Sequence, residues 1–573
     1  MNNNPFMHEA ATNIEDSKLV DMFIDNEHSH ILNSQKNIFI IGNRGSGKSM
    51  LMRYTSLPIQ LKNNSIQDIN NIGIYISCMT PLFMRIDQRL NDDKFQSAIV
   101  SEHMLVLTMA ERFLSTFLEL DESIISEEDL LLLKEELEFY FDVNLNETRV
   151  LKDFHRWIIK NLIDTQKHLD ISPSKFVSEA HTYSSLMMPL IQVFKEVSSL
   201  KKTHFMFLID DGQMLSTTQQ ISLNSWISYR DTSSVSFKIA ITTTDEYSFL
   251  TVQESVILEN HDYITLDLER DFFSGKSTFV EFAKKIIEKR LELYNIPTRN
   301  VEDFFEVPKS FTNELSLIRK KFINGDYPER EDWEEEQRRK NASKFVRSIY
   351  FRLNSETEKA NIPKLAYTGF DTLTNISTGV IRNLLVPCSI MYEKEKELKG
   401  ETVDFISAKT QYETLFYESR KAWEKIDELS VKIVDCTHEH TVMLRRVLDN
   451  FGKYLQQKLL DPKGTEKKIL SFTIHDLEKN QHSDKIKKVI KIGIQGGLIY
   501  TRIGPDHNGG RTMWYTPNRI LWPSLNLDPV GQNGRKNFPG EQFYKMMTND
   551  NYANTIIKEE NSGYVQGELS FDK

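Results

Sequence analysis

Residues 42–49 read Gly42-Asn43-Arg44-Gly45-Ser46-Gly47-Lys48-Ser49 and match the phosphate-binding pattern G-x-x-x-x-G-K-[ST] at every position. Glycines in such a loop let backbone N–H groups turn inward and surround phosphate oxygens. Lys48 is predicted to reach the β- and γ-phosphates of a nucleotide, and the Ser49 hydroxyl is predicted to hold Mg²⁺. The flanking residues fit this interpretation, because an apolar run at 37–41 precedes the loop and a helical pattern begins at Ser49.

Another apolar run, at residues 203–211, ends in the acidic pair Asp210-Asp211, which is the Walker B pattern. Asp210 is predicted to hold the water shell of Mg²⁺. Asp211 stands where many ATPases have a glutamate that polarises the attacking water. An acidic pair after a strand is a weak signal by itself, but together with the upstream loop it predicts ATP and Mg²⁺ as ligands.

Five short apolar runs separated by helical patterns predict an α/β fold with a parallel, doubly wound sheet. The helical stretch at about 93–200 is longer than a crossover requires, and two interpretations stay open: an insertion that contacts a partner, or a helical layer that packs on the sheet. The fourth run is followed by Thr242-Thr243-Thr244. Thr243 either reaches the γ-phosphate or its water, or is simply suited to a strand end.

Residues 431–536 carry eighteen Lys or Arg and ten Asp or Glu, a formal charge of +8 in a chain whose total is −11, so the remainder carries −19. Their pattern predicts a winged helix, with a second helix at 483–494 and a wing whose turn is Gly-rich at 504–510. Basic side chains there are predicted to face the phosphates of duplex DNA: Lys485, Lys487, Lys488, Lys491, Arg502 and Arg511. A winged helix used for protein contact is the open alternative.

Composition sets further bounds on the chain. At 573 residues it is too long for a single core. Three cysteines without metal-ligand spacing and the lack of a signal pattern or a long apolar run predict a cytoplasmic protein that spans no membrane. The predicted domains are a nucleotide-binding domain at 1–270, a helical lid at 271–430, a winged helix at 431–536 and a polar tail at 537–573. Residues 372–392 are predicted to form one helix that carries Arg382.

Taken together, these motifs resemble the AAA+ ATPases of the replication-initiator (origin-recognition-complex) clade. Bacterial relatives with this architecture are found as ATPase subunits of multi-gene systems, which include phage defence. Asn4-Pro5-Phe6 looks like that clade's motif beside the adenine. The resemblance makes Thr243, or a neighbouring threonine, the counterpart of the polar sensor-1 residue, which is usually an asparagine. It makes Arg382, in Gly379-Val380-Ile381-Arg382, the sensor-2 arginine that reaches the γ-phosphate from the lid.

Two departures from the clade's pattern affect the expected activity. Asp211 is one methylene shorter than the usual glutamate, so slow hydrolysis is expected. Residues 245–269, where such ATPases often have an arginine finger, contain no arginine; Arg230 is the nearest substitute and Arg270 the next. The resemblance implies a homo-oligomer in which that finger acts across subunits.

Two functions remain open on the sequence. The first is an ATPase switch that engages DNA through the winged helix. The second is an ATP-gated regulatory module with little turnover, whose winged helix and helical insertion bind proteins. No second active site is evident in the sequence, so any effector chemistry is expected from a protein partner. DNA-stimulated turnover and salt-sensitive duplex binding distinguish the two.

Overall fold

The computed structural model describes residues 4–8, 10–11, 14–25, 27–79, 94–119, 125–171, 180–229, 234–268, 278–297, 300–356, 363–400, 403–463, 469–505, 510–530 and 534–567. By its contacts the chain divides into two compact units. The sheet unit comprises Ala10–Gly42 and Gly47–Leu268, and the C-terminal unit comprises Met1–Glu9, Asn43–Ser46 and Glu269–Lys573. The predicted lid and winged helix therefore fall within one unit.

The sheet unit is built on five parallel strands in the order β2-β3-β4-β1-β5. Their bounds are β1 Ile38–Ile41, β2 Asn71–Ser77, β3 His204–Asp210, β4 Val235–Ile241 and β5 Ile264–Asp267. Nearly all residues of β1, β3 and β4 are buried, which explains why these strands are continuous apolar runs rather than alternating ones, whereas β2 and the edge strand β5 are only partly buried. The predicted fold class, an α/β protein with a parallel sheet, is confirmed.

Helices cover both faces of this sheet unit's core. They are α1 Asp16–Met22, α2 Glu27–Leu32, α3 Lys48–Thr55, α4 Leu57–Gln60, α5 Lys94–Leu118, α6 Glu127–Phe141, α7 Val150–Ile171, α8 Met188–Glu196 and α9 Thr217–Tyr229. Four of them, α5 to α8, occupy the predicted insertion between β2 and β3. Phe113 of α5 packs edge-on against Phe194 of α8 and Phe205 of β3, at ring distances of 4.8 and 5.3 Å. The described helices of this stretch thus form a layer that packs on the sheet, and contact of the stretch with a partner stays a prediction.

The C-terminal unit begins with the helices of the predicted lid, α10 Thr278–Leu293, α11 Val301–Phe304, α12 Lys309–Asn324, α13 Glu335–Ser355, α14 Phe370–Ile376, α15 Ile381–Lys399 and α16 Ala408–Lys432. The single helix predicted at 372–392 is wrong. Thr378 and Gly379 both have positive φ, 57° and 79°, so the chain turns between α14 and α15. Arg382 consequently lies in the first turn of a helix.

The winged-helix part contains α17 His438–Leu460, β6 Ile469–His475, α18 Ser483–Gln495, β7 Ile499–Pro505 and β8 Arg511–Pro517. β7 and β8 form the antiparallel hairpin predicted as the wing. The chain after residue 537, predicted as a polar tail, instead continues β9 Gly534–Pro539 into helices α19 Gly540–Thr548 and α20 Ala553–Gly567. β9 pairs in parallel with β6 and gives the sheet order β7-β8-β6-β9. Phe543, Met546 and Met547 of α19 are fully buried in the same core as α17, which a polar tail does not do.

Polar contacts join the lid helices to the winged-helix part within the C-terminal unit. The Asn383 side-chain amide of α15 donates to the Tyr500 hydroxyl of β7 at 2.6 Å. The backbone N–H of Arg519 donates to the Thr378 hydroxyl at 2.9 Å. Arg347 of α13 forms an ion pair with the buried Asp528 at 2.8 Å. Among the residues that the structure describes, no helix has the length and hydropathy needed to cross a bilayer.

Candidate nucleotide-binding site

The loop at 42–49 has the geometry that its glycines predict. Gly45 and Gly47 have φ of +89° and +104°, which residues with a Cβ rarely adopt. Helix α3 begins at Lys48, within the last residues of the loop, so its first backbone N–H groups and its positive dipole end lie there. The Lys48 side chain is 6% exposed, and its ammonium group donates to the backbone oxygen of Gly42 at 2.5 Å. This lysine is held within the loop, where the oxygens of a nucleotide's terminal phosphates would accept hydrogen bonds from its ammonium group.

Asp210, at the end of β3, lies in hydrogen-bonding contact with the loop's serine. The Ser49 hydroxyl donates to the Asp210 carboxylate. The Tyr75 hydroxyl donates to Asp210 Oδ2 at 2.8 Å, and the Asp211 backbone N–H donates to Oδ1 at 3.1 Å. Burial and the nearby Asp211 raise the pKa of Asp210, and the hydrogen bonds from Ser49 and Tyr75 and the charge of Lys48 act in the opposite direction.

Ser49 and Asp210 form a donor set that fits Mg²⁺. One hydroxyl and one carboxylate, with phosphate oxygens and water completing the shell, is how Mg²⁺ is commonly bound beside nucleotides. Within the described residues there is no cluster of three or more His, Cys, Asp or Glu side chains that could form an all-protein metal cage. Two protein ligands do not fill the coordination shell of Mg²⁺, so the pair would hold the metal together with nucleotide oxygens and water.

Asp211 lies at a sharp turn directly after β3. Its φ is 57°, in the left-handed region, and its carboxylate accepts a hydrogen bond from the Gln213 amide at 3.1 Å. A Cβ on the next residue, Gly212, would lie 2.6 Å from a methyl group of Ile239, so the turn needs glycine to approach β4 this closely. The turn leaves Asp211 only partly buried, whereas Asp210 is 2% exposed. The role of Asp211 as the base that activates water stays a prediction.

Thr243 follows β4, which lies between β3 and β1 in the sheet. Its side chain is partly buried, and it precedes a single 3₁₀ turn at Thr244–Glu246. Since the carboxyl ends of parallel strands meet at one edge, this order puts Thr243 between the strand that ends in Asp210 and the strand that enters the phosphate-binding loop. Thr243 thus lies at the same edge of the sheet as Asp210 and the loop, and its role as a γ-phosphate sensor stays a prediction.

Within the C-terminal unit, Arg382 contacts the tip of the loop at Gly45. The backbone N–H of Arg382 donates to the Gly45 oxygen at 3.2 Å, and its side chain is exposed. A Cβ on Gly45 would lie 2.6 Å from the Cβ of Arg382. This close approach is a second reason, besides the positive φ, for glycine at position 45.

Helix α15 also holds the N-terminal segment. The Asn4 side-chain amide donates to the Ser389 backbone oxygen at 3.0 Å and to a Glu393 carboxylate oxygen at 2.8 Å. Phe6 is fully buried, with its ring edge-on to Tyr392 at 6.2 Å. One helix therefore contacts the loop tip near its start and the segment predicted to lie beside the adenine about three turns later.

Arg290 is a buried cation that sequence reasoning did not single out. Its guanidinium donates to the backbone oxygens of Pro5 at 3.2 Å and His8 at 2.7 Å, and burial lowers its pKa to about 10. In the sequence Arg290 is one of several cations on an amphipathic helix, and its partners are some 280 positions away. No local pattern could identify it. Arg230 and Arg270, the two candidate arginine fingers, lie outside the described residues.

The predicted DNA-contacting residues cluster on α18 and the wing. Lys485, Lys487, Lys491 and Arg511 are exposed, whereas Lys488 and Arg502 are partly buried. Lys487 forms an ion pair with Glu478 at 2.6 Å, and Lys485 lies 3.7 Å from Glu439. Arg502 stacks over the Trp514 ring at 4.3 Å, and burial together with the neighbouring Arg535 lowers its pKa to about 10.

Comparison with known proteins identifies a family that this chain matches. A profile of the ORC-CDC6-like family matches residues 4–538. A search of curated protein sequences found no match. Among solved structures, the chain resembles the ORC1 protein of Aeropyrum pernix in complex with DNA, at 9% sequence identity and a TM-score of 0.30, over 91% of this chain and 95% of that chain. The family match includes the phosphate-binding loop, Asp210 and most of the winged-helix part.

We expect Arg382→Ala to weaken the discrimination between ATP and ADP. The resemblance assigns this arginine to the γ-phosphate, which only ATP carries, so its loss should reduce ATP affinity and leave ADP affinity nearly unchanged. A charge-assisted hydrogen bond contributes about 1.5–3 kcal/mol, which corresponds to roughly 10- to 100-fold in the affinity ratio. Calorimetry on the variant and on Arg420→Ala, an exposed arginine of α16, makes the comparison. An unchanged ATP-to-ADP ratio in Arg382→Ala would contradict the assignment.

Proposed function

Since the chain belongs to the ORC-CDC6-like family of AAA+ proteins, which are generally ATPases, we propose that it is an ATP-binding, Mg²⁺-dependent switch that hydrolyses ATP slowly and engages duplex DNA through its winged helix. The observation that carries the nucleotide part is the geometry of the phosphate-binding loop. Gly45 and Gly47 have positive φ, and the Lys48 ammonium donates to the Gly42 oxygen at 2.5 Å within the loop.

Each residue of this site has a chemical role in the proposal. Lys48 and the N–H groups at the start of α3 bind the terminal phosphates. Ser49 and Asp210 hold Mg²⁺, which neutralises charge on the phosphate oxygens when bound. Asp211 orients and deprotonates the attacking water, Thr243 positions that water or the γ-phosphate, and Arg382 senses the γ-phosphate. Slow turnover follows from the short side chain of Asp211, which places its carboxylate about one methylene further from the phosphate than a glutamate would.

The DNA part of the proposal is supported by the charge and exposure of α18. Lys487 and Lys491 are exposed and lie one turn apart on the same helical face. The acidic remainder of the chain, at −19, repels a polyanion, so the +8 segment at 431–536 is the favoured contact.

A second candidate function is a regulatory module whose winged helix contacts protein. The ion pairs Lys487–Glu478 and Lys485–Glu439 favour it, because they satisfy two of the four lysines of α18 within the chain. An ATPase assay with and without duplex DNA, accompanied by a duplex-binding titration at several salt concentrations, separates the two functions. Turnover stimulated by DNA and salt-sensitive binding support the switch, whereas neither effect at low salt supports the protein-contact module.

Lys487→Glu with Lys491→Glu is expected to weaken duplex binding for every DNA sequence and to flatten its salt dependence, while basal ATP turnover stays. Each phosphate contact adds about 0.9 to the slope of log affinity against log salt, so loss of both should lower the slope by about 1.8. The control is Lys409→Glu, an exposed lysine on α16. If the double variant binds DNA like the control, α18 is not the DNA-binding element.

Three further predictions concern properties outside the site: a homo-oligomer, a protein partner that carries any effector activity, and a cytoplasmic location. Light scattering of the protein with ATP and with ADP tests the predicted homo-oligomer. The role as a subunit of a phage-defence system rests on the resemblance to bacterial relatives and on no described residue, so the proposal leaves it aside.

A further inference from the structure

Tyr75 lies beside the metal-binding carboxylate and is not part of any nucleotide-binding motif in the sequence. It is the fifth residue of β2, in the sequence Asn-Ile-Gly-Ile-Tyr-Ile-Ser, and β2 pairs in parallel with β3. Its partner across the ladder is Leu208, two residues before Asp210. The tyrosine side chain is long enough to reach forward along the strand, and its hydroxyl donates to Asp210 Oδ2 at 2.8 Å.

The hydrogen bonds to Asp210 divide into permanent and exchangeable ones. The Asp211 backbone N–H on Oδ1, at 3.1 Å, and the Tyr75 hydroxyl on Oδ2 come from the sheet and its turn. The hydrogen bond from Ser49 is exchangeable. In the proposed function the Ser49 hydroxyl binds Mg²⁺, so it no longer donates to Asp210. When the metal binds, Tyr75 and the Asp211 N–H are therefore the donors that continue to fix the carboxylate.

We propose that Tyr75 is a positioning residue for Mg²⁺: its hydroxyl fixes the rotation of the Asp210 carboxylate so that the metal's water shell meets it in one orientation. This inference rests on the proposed function, because it assumes that Asp210 serves a nucleotide-bound Mg²⁺. Donors that orient a metal-binding carboxylate typically change metal affinity by about 10- to 100-fold when removed. Tyr75 acts through Asp210 and touches neither the nucleotide nor the reacting atoms.

The test is Tyr75→Phe, which removes only the hydroxyl. Binding of a fluorescent ATP analogue is titrated with Mg²⁺, and the same analogue is titrated in EDTA. We expect the Mg²⁺ concentration at half-maximal binding to rise about 10-fold, while affinity in EDTA stays at the parental value. Thermal unfolding in EDTA reports whether the fold is kept.

Tyr247→Phe is the matched control. Tyr247 is a buried tyrosine of the same unit, whereas Tyr75 is partly buried, and the Tyr247 hydroxyl donates to a side-chain oxygen of Asn224 at 3.1 Å. This control should keep the parental Mg²⁺ dependence.

Three results would overturn the inference. One is an equal Mg²⁺ requirement in Tyr75→Phe and the parent. Another is a parallel loss of affinity in EDTA, which would show a general loss of the site rather than of metal positioning. The third is a parent whose ATP binding does not depend on Mg²⁺ at all, and only this third result would also overturn the proposed function.

Discussion

Lys48→Ala is expected to abolish ATP binding at micromolar nucleotide concentrations and, with it, turnover. Lys48 is the only cation of the phosphate-binding loop held inside it, 6% exposed and bonded to Gly42, whereas Arg44 is exposed. An ammonium group that bonds phosphate oxygens contributes about 3 kcal/mol to binding, so affinity should fall by at least about 100-fold.

Calorimetric titration with ATP and a phosphate-release assay measure the effect of Lys48→Ala. Lys62→Ala is the control, because Lys62 is an exposed lysine in the same unit of the chain. If Lys48→Ala keeps the parental ATP affinity and hydrolysis rate, the loop is not the nucleotide-binding element. Thermal unfolding of both variants shows whether removal of the buried ammonium affects the fold.

Asp211→Asn is expected to leave ATP binding intact and to slow hydrolysis by about 100-fold or more, so that the protein accumulates in its ATP-bound form. The amide keeps the size of the side chain and can still accept a hydrogen bond, but it cannot take a proton from water, and general-base catalysis typically contributes about 100- to 10,000-fold. The measurements are ATP affinity by calorimetry and single-turnover hydrolysis. Asp164→Asn, at an exposed position on α7, is the control.

Parental hydrolysis in Asp211→Asn would mean that another group activates the water. Loss of ATP binding in this variant would mean instead that Asp211 supports the loop or the metal. The two outcomes are separable because binding and hydrolysis are measured independently.

The parts of the site that could be predicted from sequence are those encoded by contiguous residues. The loop at 42–49 and the acidic pair at 210–211 each carry their chemistry within a few positions, and the alternation of apolar runs with helical patterns fixes the order in which they meet. The hydrogen bond between Ser49 and Asp210 is the structural outcome of that local information.

The parts that could not be predicted depend on pairings between distant residues or on rare backbone conformations. The Asn4 side chain donates hydrogen bonds to Ser389 and Glu393, which are almost four hundred positions away in the sequence, and no spacing rule relates these residues. The turn that splits the helix predicted at 372–392 requires Thr378, a β-branched residue, at a positive φ that its type disfavours. Helices α19 and α20 were missed because their sequence is largely polar, and only their buried face shows that they belong to the core.

The contacts of Thr378, Asn383 and Arg347 with the winged-helix part determine whether that part is an exchangeable module. The Asp528 side chain is 1% exposed and forms an ion pair with Arg347. Removal of one partner from a buried ion pair lowers the free energy of unfolding by about 3–5 kcal/mol. A chimera that grafts a relative's winged helix onto this chain at residue 431 would keep this pair and the Asn383–Tyr500 hydrogen bond only where the relative has aspartate and tyrosine at the matching positions. Under the proposed function, a change of DNA specificity would therefore have to be made on the surface of α18 and the wing, or else by replacing the lid helices and the winged helix together.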